Sequence, residues 1–208
     1  MNNYRKLTGD EIKKLKRQNC YAEDWSRIRV ADGFRTESVA HCCFSGDIVL
    51  GNFLNDVKFF GGVRKKCGLY NVHLHNCIIG NNVYIADVGN YISNYEIKDE
   101  TVIKNIDLLA VEGESTFGNG VRVAVLNEGG GREIPIFDYL SAHIAYLLAL
   151  YRHRKQLVLN LEQIIAQYVN KIKSNRGHIG EKCTIINSRI IKNVSIKNKT
   201  TIEGVTRL

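Results

Sequence analysis

The amino-acid sequence predicts a mainly β protein, a parallel β-helix that is interrupted by an α-helical hairpin and preceded by a short helix. Apolar residues, most of them aliphatic, recur at every sixth position from Ile79 to Leu109. A stretch without glycine or proline, from Asp138 to Ser174, then interrupts this period. A period of six is typical of neither a helix nor an isolated strand, whereas it is typical of a chain that coils in repeated turns.

The six-residue period specifies which side chains should point into the core. In stacked coils the backbone groups pair in parallel ladders, so one aliphatic residue on each side of a coil builds a column. Asparagine and glycine in the intervening turns tolerate left-handed backbone conformations. We expect the following residues to point inward: Ile48, Leu54, Phe60, Ile79, Ile85, Tyr91, Ile97, Ile103, Leu109, Ile179, Ile185 and, after a shift of one residue, Ile190, Ile196, Ile202 and Leu208.

A short helix is predicted before the coils, over residues 9–18. Thr8 and Glu11 have the spacing of a capping box, in which each side chain accepts a hydrogen bond from the other residue's backbone N–H. Ile12 and Leu15 are the only apolar anchors of this helix. We therefore expect the helix to pack against a larger body.

The chain divides into four segments on these patterns. Residues 1–29 hold the N-terminal helix and the segment that leads into the coils, and residues 30–126 form β-helix coils with irregular loops. Residues 127–176 form a glycine-rich loop and the helical hairpin insertion. Residues 177–208 form further coils, which we expect to continue beyond Leu208, because this residue falls on an inward position.

The insertion is predicted to be two helices with a break near Arg152–Arg154. Residues 137–151 are apolar nearly all round, and such a helix must be buried. A single coil wall cannot cover all of these side chains, so we expect a homo-oligomer, a trimer or a dimer, that forms through the hairpin. The apolar stretch is too short and too interrupted to span a membrane, and no membrane partner is expected.

Composition limits the function classes. The chain has 208 residues, of which 44% are hydrophobic, and its formal net charge of +8 favours anionic partners such as phosphate-bearing small molecules. The basic cluster Lys13, Lys14, Lys16 and Arg17 has no interleaved aromatic residues, which argues against nucleic acid. The six cysteines lack C-x-x-C spacing, so no metal site is expected. The polar N-terminus predicts a cytoplasmic protein with reduced thiols.

The period and its polar corners, at residues 80–82, 180–182 and 197–199, resemble the hexapeptide-repeat proteins. This resemblance implies that the β-helix is left-handed and that each coil is a triangle of three hexapeptides. A right-handed β-helix is the alternative. Members of that family are commonly trimers, with helices beside the coils joining in the contact.

Three further segments, 22–25, 126–133 and 148–154, together resemble an uncharacterised family of longer bacterial β-helical proteins. Some of its members are loosely labelled glucose-1-phosphate thymidylyltransferase-like. This resemblance implies a nucleotide-sugar protein by association, and it supplies no catalytic residues that match positions of this chain.

His73 and His75 are the candidate catalytic residues. In hexapeptide-repeat acyltransferases a histidine near a coil corner removes a proton from the acceptor, so the resemblance implies this role here. Because side chains alternate along a strand, the two histidines lie on one face, and His41 lies upstream. Ordinary surface histidines are the alternative, and no third ligand is close enough in sequence to suggest a metal.

Glu128, Arg132 and Glu133 are the candidate substrate-binding residues. The glycine-rich segment 129–135 resembles the phosphate loop of sugar-1-phosphate nucleotidyltransferases, where backbone amides and an arginine hold the triphosphate. That loop normally follows a strand of a βαβ unit, which this chain lacks. A flexible hinge that leads into the helices is therefore the alternative.

The predicted function is that of a transferase-like protein that binds or modifies a nucleotide-sugar or an acylated small molecule. No resident cofactor is evident, and acyl-CoA or a nucleoside triphosphate is the expected co-substrate. The alternative is a non-enzymatic scaffold in which the coils and the hairpin serve assembly.

Overall fold

The computed structural model describes residues 3–124, 130–131 and 133–208, apart from the side chain of Phe60. Strands make up 41% of it and helices 22%, which confirms a mainly β protein with parallel sheets. The chain forms two compact units. Residues 1–112 with 176–208 form the first, called the β unit, and residues 113–175 form the second, called the insertion unit.

The strands of the described chain are short, and most belong to the β unit. In chain order they are β1 (Tyr4–Lys6), β2 (Tyr21–Ala22), β3 (Ile28–Ala31), β4 (Val39–Ser45), β5 (Ile48–Leu50), β6 (Asp56–Lys58), β7 (Arg64–Lys66), β8 (Gly68–His75), β9 (Ile78–Ile79), β10 (Tyr84–Ser93), β11 (Tyr95–Ile97), β12 (Val102–Ala110), β13 (Arg122–Ala124), β14 (Glu133–Pro135), β15 (Gly177–Ile179), β16 (Thr184–Lys192) and β17 (Thr201–Glu203).

Two large sheets organise the β unit. One has the strand order β1-β3-β5-β9-β11-β15, and the other has the order β17-β16-β12-β10-β8-β4-β2. Pairing in both sheets is parallel, except that β1 runs antiparallel to β3. From β2 to β16 the chain passes alternately from one large sheet to the other, with β6–β7 and β13–β14 forming separate antiparallel hairpins.

Isoleucines fill the interior of the β unit in columns. Ile85 pairs with Ile103, which pairs in turn with Ile185, and all three are fully buried. In the other sheet Ile97 lies between Ile79 and Ile179 in the same way. Burial of each such side chain contributes about 1.5–3 kcal/mol. The predicted inward positions are therefore confirmed for these residues.

The predicted phase is wrong at Tyr91. Strand β10 has one residue more than β12 in this region, so the register shifts between Val88 and Tyr91. The extra residue is a bulge, which turns the following side chains to the opposite face. Ile92 consequently occupies the buried position, while Tyr91 is only partly covered.

Three other inward predictions also fail. Ile191, and not Ile190, pairs with the buried Leu109 and is itself fully buried. Leu54 lies outside the large sheets and is 57% exposed, and Leu208 is 49% exposed. The spacing of six therefore holds along β12 and β16 but not through the bulge of β10 or at every turn.

Asparagine dominates the turns, as predicted. The described non-glycine residues with positive φ are Asn19, His41, Asn71, Asn76, Asn82, Asp87, Asn94, Glu100, Asn105, Phe117, Lys182, Asn187, Asn193 and Lys199. The asparagine side chains also connect successive turns. The Oδ1 atom of Asn82, for example, accepts hydrogen bonds from the backbone N–H groups of Leu54 and Asn55, each at 3.0 Å.

The N-terminal helix α1 (Gly9–Arg17) confirms the capping box at Thr8 and Glu11. Glu11 also accepts two hydrogen bonds from Arg5, at 2.7 and 2.8 Å. These bonds, assisted by those from Thr8, lower the pKa of Glu11 to about 2. Leu15 is the residue that this helix buries.

The insertion unit contains α2 (Ala142–Leu150) and α3 (Lys155–Ile172), which confirms the predicted break between two helices. Its core consists of Ile134, Leu148, Ala149 and Ile165. In the single chain Tyr146 of α2 is 52% exposed, so the expected burial of α2 against another subunit stays a prediction. Within this unit the second helix and one strand cover only one side of α2. No helix in the described ranges has the length and apolarity that a membrane span requires.

Candidate functional site

The predicted histidines lie on the seven-stranded sheet beside a serine. Strand pairing places Ser45 next to His75 and Cys43 next to His73. The Oγ atom of Ser45 lies 2.9 Å from Nδ1 of His75 and 3.4 Å from Nε2 of His73. The structure therefore brings the two candidate catalytic residues together around one hydroxyl group.

The hydrogen bonds of Asn76 indicate which ring nitrogen of neutral His75 carries the proton. The Oδ1 atom of Asn76 accepts from the backbone N–H of Asp47 at 3.0 Å, so its Nδ2 atom must be the one that lies 2.9 Å from Nε2 of His75. Nε2 is then an acceptor, and the ring proton is on Nδ1, which donates to Ser45. His75 in this arrangement cannot remove the proton of Ser45.

His73 is the histidine that can accept this proton. Because His75 donates to the Ser45 oxygen, the serine hydroxyl hydrogen is left to point toward Nε2 of His73. His73 is exposed, whereas Ser45, His75 and Asn76 are partly buried. The two histidines therefore differ in their hydrogen bonds, with His75 as a donor to Ser45 and the exposed His73 as an acceptor.

Asn94 extends this network into the next turn. Its Oδ1 atom accepts from Nδ2 of Asn76 at 3.3 Å, and its own Nδ2 atom donates to the carbonyl of Val111 at 2.9 Å. Gly46 leaves room for the side chain of Asn76, because a β-carbon at position 46 would overlap that side chain. His41 is separate from this network, and its Nδ1 atom lies 3.5 Å from Nδ2 of Asn19.

The second candidate site is a surface cavity within the insertion unit. Its volume is about 320 Å³. Apolar side chains form part of its wall, and charged side chains form the rest. The lining residues are Arg122, Gly131, Glu133, Leu148, Arg152, Lys155, Val158, Leu159 and Glu162.

The cavity has more positive than negative charge. Arg122 donates to Oε1 of Glu162 at 2.9 Å and to the carbonyl of Glu133 at 2.9 Å. Arg152 donates to the carbonyl of Gly131. Three cationic side chains thus share the lining with two carboxylates.

Lys155 differs from the two arginines in this cavity. Its side chain forms no hydrogen bond or ion pair with another residue of the described chain. It is also the first residue of α3, where the helix dipole favours anions. Its charge is therefore available for a bound anion.

The structure describes only one of the three predicted substrate-binding residues. Glu133 lines the cavity, and its Oε1 atom accepts from the backbone N–H of Gly131 at 3.0 Å. Glu128 and Arg132 lie outside the described residues. No group of three potential metal ligands occurs among the residues that the structure places.

Sequence reasoning missed the residues that complete both sites. Ser45 and Asn76 join His75 only through parallel strand pairing and a turn, which the period alone does not specify. Arg152 and Lys155 were visible as a basic cluster at the helix break, and that cluster was the available signal. Glu162 lies about two helical turns after Lys155 in α3. That both side chains line the same cavity follows from the packing of α3.

Comparison with known proteins gives a family without an assigned function. The family model described as "Domain of unknown function (DUF4954)" matches residues 4–208. An uncharacterised protein of Treponema pallidum (strain Nichols) is 27% identical over 216 residues, which cover 99% of this chain and 30% of that protein. The chain thus spans 30% of the length of this relative. No solved structure matches.

These matches correct the resemblances inferred from the sequence. Neither the hexapeptide-repeat proteins nor a thymidylyltransferase family matches the chain, and the family that does match is a different one. The assignment to those two groups is therefore wrong. Aliphatic residues at every sixth position reflect the way in which side chains pack in a core. Such a spacing therefore does not by itself identify a family.

Proposed function

The chain belongs to the family described as a domain of unknown function (DUF4954), and we propose that it is a transferase-like protein that binds a phosphate-bearing small molecule in the cavity of the insertion unit. The observation that carries this proposal is the ammonium group of Lys155, which has no ion-pair partner among the described residues and lies in a cavity with Arg122 and Arg152. Charge-assisted hydrogen bonds from such groups to phosphate are among the strongest in proteins.

The size of the cavity narrows the class of ligand. Its volume of about 320 Å³ is near the lower end of the range for small-molecule sites, about 300–1,000 Å³. A sugar phosphate or the phosphate end of a nucleotide suits this volume better than a complete acyl-CoA. Leu148, Val158 and Leu159 supply the apolar wall on which the rest of such a ligand would lie.

The carboxylates of the cavity have a separate role in this proposal. Glu162 holds the guanidinium of Arg122 in place. Glu133 accepts a hydrogen bond from Gly131 and thereby orders the end of the glycine-rich segment. We expect both carboxylates to position cationic or backbone groups, since a carboxylate close to phosphate would repel it.

Calorimetric titration tests the proposal with a matched pair of lysine variants. Lys155→Met removes the unpaired cation, whereas Lys171→Met removes an exposed lysine of the same helix that does not line the cavity. The ligands are glucose 1-phosphate, uridine monophosphate, coenzyme A and, as a neutral control, glucose. We expect wild type and Lys171→Met to bind the phosphates, and Lys155→Met to bind them roughly tenfold more weakly.

Two results would contradict the proposal. One is equal affinity of Lys155→Met and wild type for every phosphate. The other is binding of glucose as tightly as glucose 1-phosphate, which would mean that the charge of the cavity is not used.

Separately from that cavity, we propose that His73 of the β unit is a general base and that His75 is its positioning partner. The support is the hydrogen-bond direction described above, which leaves Nε2 of His73 as the acceptor beside Ser45. A variant His73→Gln should lose turnover of an activated acyl or phosphate ester, while His75→Gln should lose less.

We also propose that the two large sheets are walls of one parallel β-helix. The alternation of the chain between the sheets supports this architecture. So does the pairing of Ile79 with Ile97 and of Ile85 with Ile103, since each partner is eighteen residues further along the chain. A crystal structure in which successive strands did not form coils would contradict it.

A scaffold is the second candidate function, and it has its own supporting observation. Several large apolar side chains of the insertion unit are exposed, among them Tyr139 at 68% and Ile164 at 60%. The predicted homo-oligomer would cover them, because large apolar patches are rarely left bare. Sedimentation of wild type beside Ile164→Glu tests it, and a monomeric wild type would exclude assembly through this surface.

A further inference from the structure

The hairpin β6–β7 carries four cationic side chains and one carboxylate. Lys58 lies directly opposite Arg64, Lys66 lies opposite Asp56, and Lys65 lies opposite Val57. All four cationic side chains are exposed, and none takes part in an ion pair of the described chain. The net positive charge of this hairpin therefore attracts anions.

A cavity of about 320 Å³ lies where the hairpin meets the seven-stranded sheet. Phe59 fixes the hairpin to the sheet, because its ring packs edge-on against Tyr84 with the centroids 5.3 Å apart. The same contact belongs to an apolar cluster that includes Val57 and Tyr70. The cavity is lined by Lys65, Lys66, Tyr70, Tyr84, Ala86 and Asp87.

Asp87 also lines a second cavity, of about 270 Å³, so the two cavities meet at its side chain. Polar side chains contribute to the lining of the second cavity. Asp107, Asn105 and Arg189 are among its lining residues, and Nδ2 of Asn105 donates to Oδ1 of Asn187 at 2.8 Å. Carboxylate and amide groups of this kind recognise hydroxyl groups by accepting and donating hydrogen bonds.

We infer that these two cavities form one binding site for a phosphorylated carbohydrate. The phosphate binds to Lys65 and Lys66, and the hydroxyl groups of the sugar bind to Asp87 and Asp107. The half-buried ring of Tyr70 offers an apolar face between these groups. The site lies entirely within the β unit, so it does not depend on the function proposed for the insertion unit.

Two classes of phosphorylated carbohydrate carry these groups, and they differ in length. A sugar monophosphate occupies one cavity, whereas a nucleoside diphosphate sugar reaches both. The probes are therefore glucose 6-phosphate and uridine diphosphate glucose, with glucose and inorganic phosphate as the two halves of the ligand. All titrations use Lys155→Met as the background, so that the cavity of the insertion unit does not contribute.

A matched pair of hairpin variants tests the phosphate end. Lys65→Gln with Lys66→Gln removes the two cations that line the cavity, and Lys58→Gln with Arg64→Gln removes the two that do not. Both pairs are exposed and remove the same charge, and thermal unfolding checks that each variant is folded. We expect the first pair to weaken binding of at least one phosphorylated probe by roughly ten- to a hundredfold, and the second by less than about twofold.

Asp107→Asn tests the carbohydrate end. It should weaken binding of uridine diphosphate glucose while leaving the weak binding of inorganic phosphate unchanged. Tighter binding of uridine diphosphate glucose than of glucose 6-phosphate would identify the longer source, and the reverse order would identify the shorter one. Absence of binding to both probes would overturn the inference, as would equal losses in the two hairpin variants, since these would indicate only a diffuse field of positive charge.

Discussion

The β unit and the insertion unit bury their apolar residues to very different extents. Ile97 and Ile103 in the β unit are fully buried, while Ile164 in the insertion unit is 60% exposed. Each column isoleucine has a neighbour in the strand on either side, so the core grows with every added strand. The insertion unit has two helices and one short hairpin, which cannot enclose α2. A repeated architecture therefore completes its own core, whereas an inserted one leaves apolar surface for a ligand or a partner.

A charge at a core position should give the largest difference between the units. Ile97→Asp places an unpaired carboxylate among buried isoleucines and should destabilise the protein by about 3–5 kcal/mol. Ile164→Asp should change the free energy of unfolding by less than about 0.5 kcal/mol, as is usual at exposed positions. Chemical denaturation of the two variants measures both values. Similar losses would mean that Ile164 is covered, for example by a second copy of the chain.

The bulge in β10 should give the next largest effect. Ile92→Ala removes a fully buried side chain and should cost about 2–5 kcal/mol. Tyr91→Ala removes a partly exposed one and should cost clearly less. Chemical denaturation of the two variants tests the register shift. A larger loss of unfolding free energy in Tyr91→Ala than in Ile92→Ala would indicate that the period of six continues without a bulge.

How much the sequence predicts depends on whether a feature repeats. The columns through Ile85 and Ile97 and the asparagine turns were predictable, because they follow from a spacing that recurs. The bulge before Ile92 was not predictable, because one additional residue in β10 leaves the composition and the average period nearly unchanged.

The candidate sites were predictable only in part for the same reason. His73, His75 and Glu133 stand out by residue type. Ser45, which lies beside His75, and Lys155 do not, because they depend on strand register and helix packing that single residues do not specify.

A smaller effect is expected within the β unit where hydrogen bonds between polar side chains, and not apolar columns, attach α1 to β1. The folded-state pKa of Glu11 is lowered from 4.5 to about 2, chiefly by its hydrogen bonds from Arg5. The unfolded chain therefore takes up this proton first, so the stabilisation is present above pH 4.5 and is lost as the pH falls toward 2. Glu11→Gln should lower Tm at neutral pH, and the difference from wild type should shrink below pH 4.5.

Glu203→Gln is the control for this pH series, because Glu203 is exposed and belongs to no ion pair among the described residues. Its Tm should follow wild type throughout. A Glu11→Gln difference that stays constant from neutral pH down to 2 would show that the carboxylate charge is not the source of the stabilisation.

Hydrogen exchange followed by mass spectrometry tests most directly the claim that the insertion unit holds a phosphate ligand. The measurement compares wild type and Lys155→Met, each with and without glucose 1-phosphate. We predict that the ligand slows exchange in wild-type peptides from residues 130–162, and that this protection is lost in Lys155→Met. Protection that persists in Lys155→Met, or its absence from these peptides in wild type, would contradict the claim.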